Sequence, residues 1–449
     1  MSEFKFGFTP PDPDDRDEGG NPKPGGQENP FDGFGQLGQM LSQLGQMLSQ
    51  AGQGGGGPVN YDLAKQIAVQ KLSGQVGFVA PSEATKAVTD AVHLAEMWLD
   101  PVTTLPAGAT SAKAWTARDW VEHTLPTWQR LCDPVARRMS GAWVDALPAE
   151  AKAQAGPLLA MVGQMGGMAF GSQLGQALAQ LAAEVLTSTD IGLPLGPAGT
   201  AALLPANVEV FTKGLERPAS EVMVFLGARE AAHQRLFTGV PWLRQRLLGA
   251  VEEFASGIKV DTAALEQLAT QVDPSNPQSI EEAMRSGVLE PETTPEQKHA
   301  LARLETLLAL VEGWVDVVVG EAVGDRLPGA DALRETLRRR RASGGPAEQT
   351  FATLVGLELR PRKLRAAAAL WRMVTDQHGI EVRDNLWSHP DLMPTSDDLD
   401  EPVDFVRRLS APAELDDDPI AQLNRTEQSP EAKRAEQDGR EQGGEPADG

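Results

Sequence analysis

Arg229-Glu230-Ala231-Ala232-His233 has the spacing of the His-Glu-x-x-His zinc helix, with an arginine where the first ligand would stand. A helix turns by about 100° per residue, so Arg229 and His233 project from one face and Glu230 lies a turn below His233. In the complete motif two imidazoles hold Zn²⁺ and the glutamate is general base toward the metal-bound water. A guanidinium stays charged and only donates hydrogen bonds. The geometry of the motif is thus kept while one ligand becomes a fixed cation.

A second pattern lies downstream, Glu312-Gly-Trp-Val-Asp316. Glu-x-x-x-Asp on a second helix is the other half of a gluzincin centre, in which the Glu is the third ligand and the Asp orients the first histidine. Glu305, Glu312 and Asp316 fall near one helical face among leucines and valines, and buried carboxylates need cationic or hydrogen-bonding partners. Three readings follow. His233 and Glu312 are two ligands of an incomplete zinc site with Glu230 as base; or the site is metal-free and Arg229 bridges the two helices to Glu312 or Asp316; or Arg229, Glu230 and Asp316 form a buried ion-pair network beside a core histidine. His93, His123, His299, His378 and His389 have no motif spacing to His233, and His389-Pro-Asp391 reads as a helix cap. No glycine-rich nucleotide loop, serine elbow or Cys-His signature occurs.

The elements that must position these side chains are helices. Residues 221–237 read as a buried helix opened by Pro218-Ala-Ser220 and closed near Thr238-Gly239, and residues 294–323 as a long one. Helical spacing also predicts helices beginning at Ser82, over 117–147 with Trp120, Trp128 and Trp143 as core, and from Pro241-Trp242 to about Gly257; Asp261 and Ser279 are expected N-caps. Residues 153–183 carry no charge, and Gly163, Gly167, Gly171 and Gly175 recur every fourth position. Such a ridge lets another backbone approach closely, and the expected arrangement is a central buried helix with the motif helix against it. Gln164, Gln173, Gln176 and Gln180 argue against membrane insertion. Residues 187–207, with Pro194, Pro197 and Pro205, read as a loop whose Asp190-Ile-Gly-Leu-Pro-Leu stretch forms an extended edge next to a cleft. The fold class is mainly α, one large helical domain with disordered arms at both ends.

Domain limits follow from composition. Residues 1–58 form an expected disordered arm, carrying a seven-residue repeat over 37–50 with Leu37, Met40, Leu41, Leu44, Met47 and Leu48 on one stripe, then a glycine linker. Residues 59–405 are the domain and 406–449 an acidic tail. The 449-residue chain has a net charge of −23, which argues against general nucleic-acid or anionic-membrane binding. Between Arg334 and Arg372, ten Arg or Lys stand against three Glu; this is a solvated or acid-paired helix face, or a surface for phosphate or an acidic partner. The single cysteine, Cys132, forms no internal disulfide, and no apolar run reaches the ~18 residues of a membrane span. A cytoplasmic protein is expected.

Arg-Glu-Ala-Ala-His-Gln-Arg-Leu-Phe and Pro-Trp-Leu-Arg within 221–246, Gly-Met-Ala-Phe-Gly-Ser-Gln-Leu-Gly at 167–175, and Ser-Thr-Asp-Ile-Gly-Leu-Pro-Leu at 188–195 together resemble the actinobacterial zincin-like metallopeptidase family of hydrolases. The resemblance covers about residues 60–400. It implies a mainly helical zincin-like fold, a peptidase-like site and zinc as cofactor, and is to the branch with Arg in place of the first His. Two functions follow as expectations: a zinc-dependent hydrolase with a degenerate metal site, or a catalytically inactive binding or scaffold protein for a peptide or protein partner, in which Arg229 replaces the metal.

Overall fold

The computed structural model describes residues 57–74, 80–145, 156–215, 217–257, 294–342, 350–351, 354 and 363–410. The repeat at 37–50, the expected caps Asp261 and Ser279, and residues 411–449 lie outside them. Among the described residues the regular elements are helices and two short strands, joined by loops and 3₁₀ turns. In order these are α1 (Tyr61–Leu72), α2 (Ser82–Leu99), β1 (Ser111–Ala114), α3 (Ala117–Asp145), α4 (Gly156–Ala182), β2 (Thr200–Leu203), α5 (Pro205–Thr212), α6 (Ala219–Gly239), α7 (Leu243–Ser256), α8 (Pro295–Val323), α9 (Ala330–Ala342), α10 (Leu364–Asn385), α11 (Ser396–Asp400) and α12 (Pro402–Ser410). No helix of the described residues is long and apolar enough to cross a membrane.

Local chemistry explains the start of the two helices that carry the motifs. Thr294 caps α8 with a complete capping box, its side chain accepting from Gln297 N while Gln297 returns a bond to the Thr294 N–H, and Pro295 occupies the first turn, where an N–H is not needed. α6 begins after Pro218 with Glu221 in its first turn, where a negative charge meets the positive end of the helix dipole. Its body from Phe225 to Phe237 is buried except for the half-buried Arg229. A helix enclosed on nearly all sides cannot be amphipathic, and that is why polar side chains at Glu230, His233, Gln234 and Arg235 must all find partners inside.

α8 is the axis of the bundle, packed by α6, α7 and α10, while α6 is wedged between α2 and α8. Trp120, Trp128, Trp314, Trp371 and Trp387 are all fully enclosed; a large apolar side chain contributes about 1.5–3 kcal/mol on full burial. Burial of Trp120 and Trp128 agrees with their expected core role.

Two expectations are corrected. The glycine ridge of α4 does not face the motif helix. Its partner is the start of α1: a Cβ on Gly171 would stand 2.4 Å from the Asn60 carbonyl oxygen, and one on Gly175 2.4 Å from that of Ala64. Nor is α4 buried all round, since Gln173, Gln176 and Gln180 line an exposed face; uncharged glutamines give a solvated face no charge to reveal it. Second, the expected loop 187–207 contains β2 and the start of α5. β2 pairs in parallel with β1, Ser111 opposite Thr200 and Ala114 opposite Leu203, and on its other side Thr187 bridges antiparallel to Leu203. Strands of Ser, Ala, Thr and Leu over four residues offer no alternation to read.

Candidate functional site

The site lies where α6 meets α8. Arg229 donates from Nη2 to Glu312 Oε2 at 2.6 Å, and His233 Nε2 lies 3.0 Å from Glu312 Oε1. His233 and Glu312 side chains are 2% and 3% exposed and Arg229 11%, so the cluster is nearly closed to water. The other imidazole nitrogen, Nδ1, lies 2.8 Å from the Arg229 carbonyl oxygen. A carbonyl can only accept, so Nδ1 carries a proton. Nε2 in turn faces a carboxylate oxygen, and a proton must lie between them, on the ring or on Glu312. The guanidinium on the second oxygen favours the ionised carboxylate, which makes His233 the donor.

Asp316, one turn further along α8, is held from a third element. Arg334 contributes Nε at 3.2 Å to Oδ1 and Nη2 at 3.0 Å to Oδ2, and Arg338 Nη2 adds a bond of 2.6 Å to Oδ2. Burial alone would raise the Asp316 carboxyl, but the bond from and charge of Arg334, with the charges of Arg229 and Arg338, outweigh it and hold it below the ordinary carboxylate value. The basic helix α9 is therefore docked on the acidic face of α8, and Arg340 continues the contact at 2.9 Å to Asp190.

Glu230 is held by the segment before β2. Its Oε1 accepts from Ser188 Oγ at 2.5 Å, from Gln234 Nε2 at 3.1 Å and from Ala202 N at 3.4 Å; Oε2 accepts from Thr189 Oγ1 at 2.6 Å and Thr189 N at 3.2 Å. The carboxylate is fully buried and ringed by donors. The same segment then passes over Glu312. Gly192, at φ +85°, favours glycine by its backbone conformation and comes so near that a Cβ there would stand 3.0 Å from Glu312 Oε1, a tight contact.

Of the residues singled out from sequence, the structure thus brings Arg229, His233 and Glu312 together, seats Asp316 beside them on arginines of α9, and commits Glu230 to Ser188 and Thr189. Sequence reasoning missed Ser188 and Thr189 as partners of Glu230, and Arg334 and Arg338 as partners of Asp316. The available signal for the latter was the basic run itself, which could be acid-paired. The remaining histidines stay apart: His389 Nδ1 accepts from Asp391 N at 3.2 Å and caps a short 3₁₀ turn, and His123 stacks on Trp115 with ring centroids 4.8 Å apart.

A catalytic zinc ion takes three protein ligands and a water. These side chains do not fit that requirement as they stand. His233 and Glu312 make two ligands, and the cation already seated on Glu312 Oε2 cannot ligate and repels a dication. Glu230, the residue at the position of the base, has its oxygens committed to Ser188, Thr189, Ala202 and Gln234.

The crystal structure of a "putative hydrolase with a novel fold" from Chloroflexus aurantiacus shares the architecture: the TM-score is 0.57 at 18% identity, over 79% of this chain and 100% of that one. At that identity the likeness concerns the fold. The curated proteins contain no match. The family model described as zincin-like metallopeptidase matches residues 59–406, which spans both helices of the site and most of the chain. By that match, this chain belongs to the zincin-like metallopeptidase family.

Proposed function

We propose that this zincin-like protein works without metal at the junction of α6 and α8, Arg229 supplying the positive charge there, and that it serves as a binding or scaffold protein for a peptide or protein partner instead of as a hydrolase. The observation that carries the reading is the 2.6 Å bond from Arg229 to Glu312 Oε2. A carboxylate that would have to face a metal is neutralised by a side chain that cannot lose its charge. The closed set of donors on Glu230 supports the same reading, because a general base needs an accessible lone pair.

Family membership favours a second reading, a zinc-dependent hydrolase in which His233 and Glu312 hold the ion with a third ligand and Glu230 is the base. It requires Arg229 to leave Glu312, and Ser188 and Thr189 to release Glu230. Elemental analysis of protein purified without added metal separates the two. The expected result is zinc far below one equivalent in the native chain, together with micromolar or tighter zinc binding, on the order of 1 µM, in Arg229→His, where the missing ligand is restored. One tightly held zinc per native chain, removed by His233→Ala or Glu312→Ala, would establish the hydrolase reading instead.

A further inference from the structure

On the opposite side of α8 from Glu312 lies a cavity of about 790 Å³ between α7, the first half of α8 and the turn before α11. Leu310, on its wall, precedes Glu312 by two residues, about 200° around the helix, so the cavity and the ion-paired cluster occupy different faces. Its floor is apolar, from Ala250, Leu307, Leu310 and Met393, and Trp242, Arg246, His299 and the Arg303–Glu253 ion pair stand at its rim. The size falls within the ~300–1,000 Å³ of small-ligand sites, and an apolar body with a few polar groups is their usual lining.

Three features narrow what would enter. Trp242 is fixed: its Nε1 donates to the Trp387 carbonyl at 2.9 Å and its ring stacks on Trp387, which in turn stacks on Trp371, so one indole face is held ready at no further ordering cost. Arg303 is engaged by Glu253, whereas no carboxylate of the described residues lies within ion-pair distance of Arg246. Among the described residues there is thus one guanidinium at the rim without a carboxylate partner, beside an aromatic face and above an aliphatic floor. A single planar fork matches a carboxylate bidentately, while a phosphate dianion would call for more charge than one arginine brings.

We propose that this cavity is a binding site for an amphiphilic carboxylate, a molecule with an aromatic or branched aliphatic group on the Leu307–Leu310 floor and its carboxylate on Arg246. The site is independent of the metal question, because none of its residues belongs to the Arg229–Glu312 cluster. N-acetyl-L-phenylalanine is a suitable probe, with N-acetyl-L-phenylalaninamide as the uncharged control, both titrated calorimetrically into the full chain. The carboxylate is expected to bind at least about tenfold more tightly than the amide, and Arg246→Ala to abolish that preference while leaving the melting temperature unchanged, since Arg246 is an exposed side chain. Ala302→Trp, at an exposed position on the cavity wall, is expected to block both probes without touching the charge. Equal affinity for acid and amide, retention of the preference in Arg246→Ala, or undiminished binding in Ala302→Trp would each overturn the assignment, as would failure of the acid to bind at about 10 mM.

Discussion

Two buried carboxylates of this bundle, Glu312 on α8 and Asp384 on α10, are neutralised in different ways. Asp384, near the end of α10, accepts from Arg383 Nε at 2.8 Å, Thr103 Oγ1 at 2.7 Å, Thr104 N at 2.7 Å and Trp314 Nε1 at 2.9 Å. A backbone amide and a hydroxyl from Thr103-Thr104 and an indole from α8 thus converge with the guanidinium, which is itself wholly buried and also reaches the Val102 carbonyl at 2.6 Å. Glu312 instead is bound by Arg229 and His233, two ionisable side chains four residues apart on one helix. The Asp384 cluster has no motif and no metal precedent, yet it contains the same arginine–carboxylate chemistry. Pairing by itself is therefore a way of burying charge. What sets Glu312 apart is that two side chains of one helix take its two oxygens, so that one substitution can change what occupies the cationic position, whereas Asp384 is also bound by a backbone amide.

The most severe way to break this contrast is Asp384→Ala, which leaves Arg383, at zero exposure, with the 3.4 Å contact to Glu321 as its remaining ion pair. The expected loss is about 3–5 kcal/mol, read as a fall in the denaturant midpoint, because a wholly buried guanidinium keeps its charge and loses the carboxylate that holds it most closely. A loss below about 1 kcal/mol would remove the distinction between a lock and an exchangeable pair. Arg229→Met is expected to cost less, about 2 kcal/mol, since His233 can still donate to Glu312 and the 11% exposure of Arg229 marks an edge open to water. If Arg229→Met were as destabilising as Asp384→Ala, the α6–α8 cluster would be as much a structural clamp as the other.

The same contrast governs what the sequence made legible. Helices α2, α3, α6, α7 and α8 could be read from apolar spacing and from opening signals such as Pro218-Ala-Ser220, because a helix writes its pattern into neighbouring residues. The spacing also directed Arg229 toward Glu312 or Asp316, since two helices with matched faces leave few partners. It could not say that Asp316 would go to Arg334 and Arg338, as the choice depends on how α9 folds back. It could not reveal that Ser188 and Thr189 would encircle Glu230, for that contact depends on β2, four small residues with no periodicity. The error over the glycine ridge has the same origin: glycines announce that some backbone comes close, and carry no information about which one. Contacts within an element or between two patterned helices are legible, and those set by loop paths are not.

The gentlest test of the comparison is acid titration of stability. Burial alone would push the carboxyls of Asp316 and Asp384 upward, but their arginines, with Thr103 and Trp314 in the case of Asp384, hold both below the ordinary carboxylate value. A depressed folded value means that the folded chain binds fewer protons than the unfolded chain between the two values. The stabilisation is then complete above the unfolded value of about 3.9 and is lost as pH falls through the folded one. Asp316→Asn should remove its share of that slope, on the order of 1 kcal/mol, measured as the difference in unfolding free energy between neutral pH and the lowest pH at which the fold persists. Arg334 and Arg338 lie partly at the surface, at 18% and 26% exposure, so salt should weaken the Asp316 share. The Asp384 share, with Arg383 fully buried, should resist it. Equal salt sensitivity of both shares would show that the two carboxylates experience the same screening, whatever the burial of the arginines that hold them.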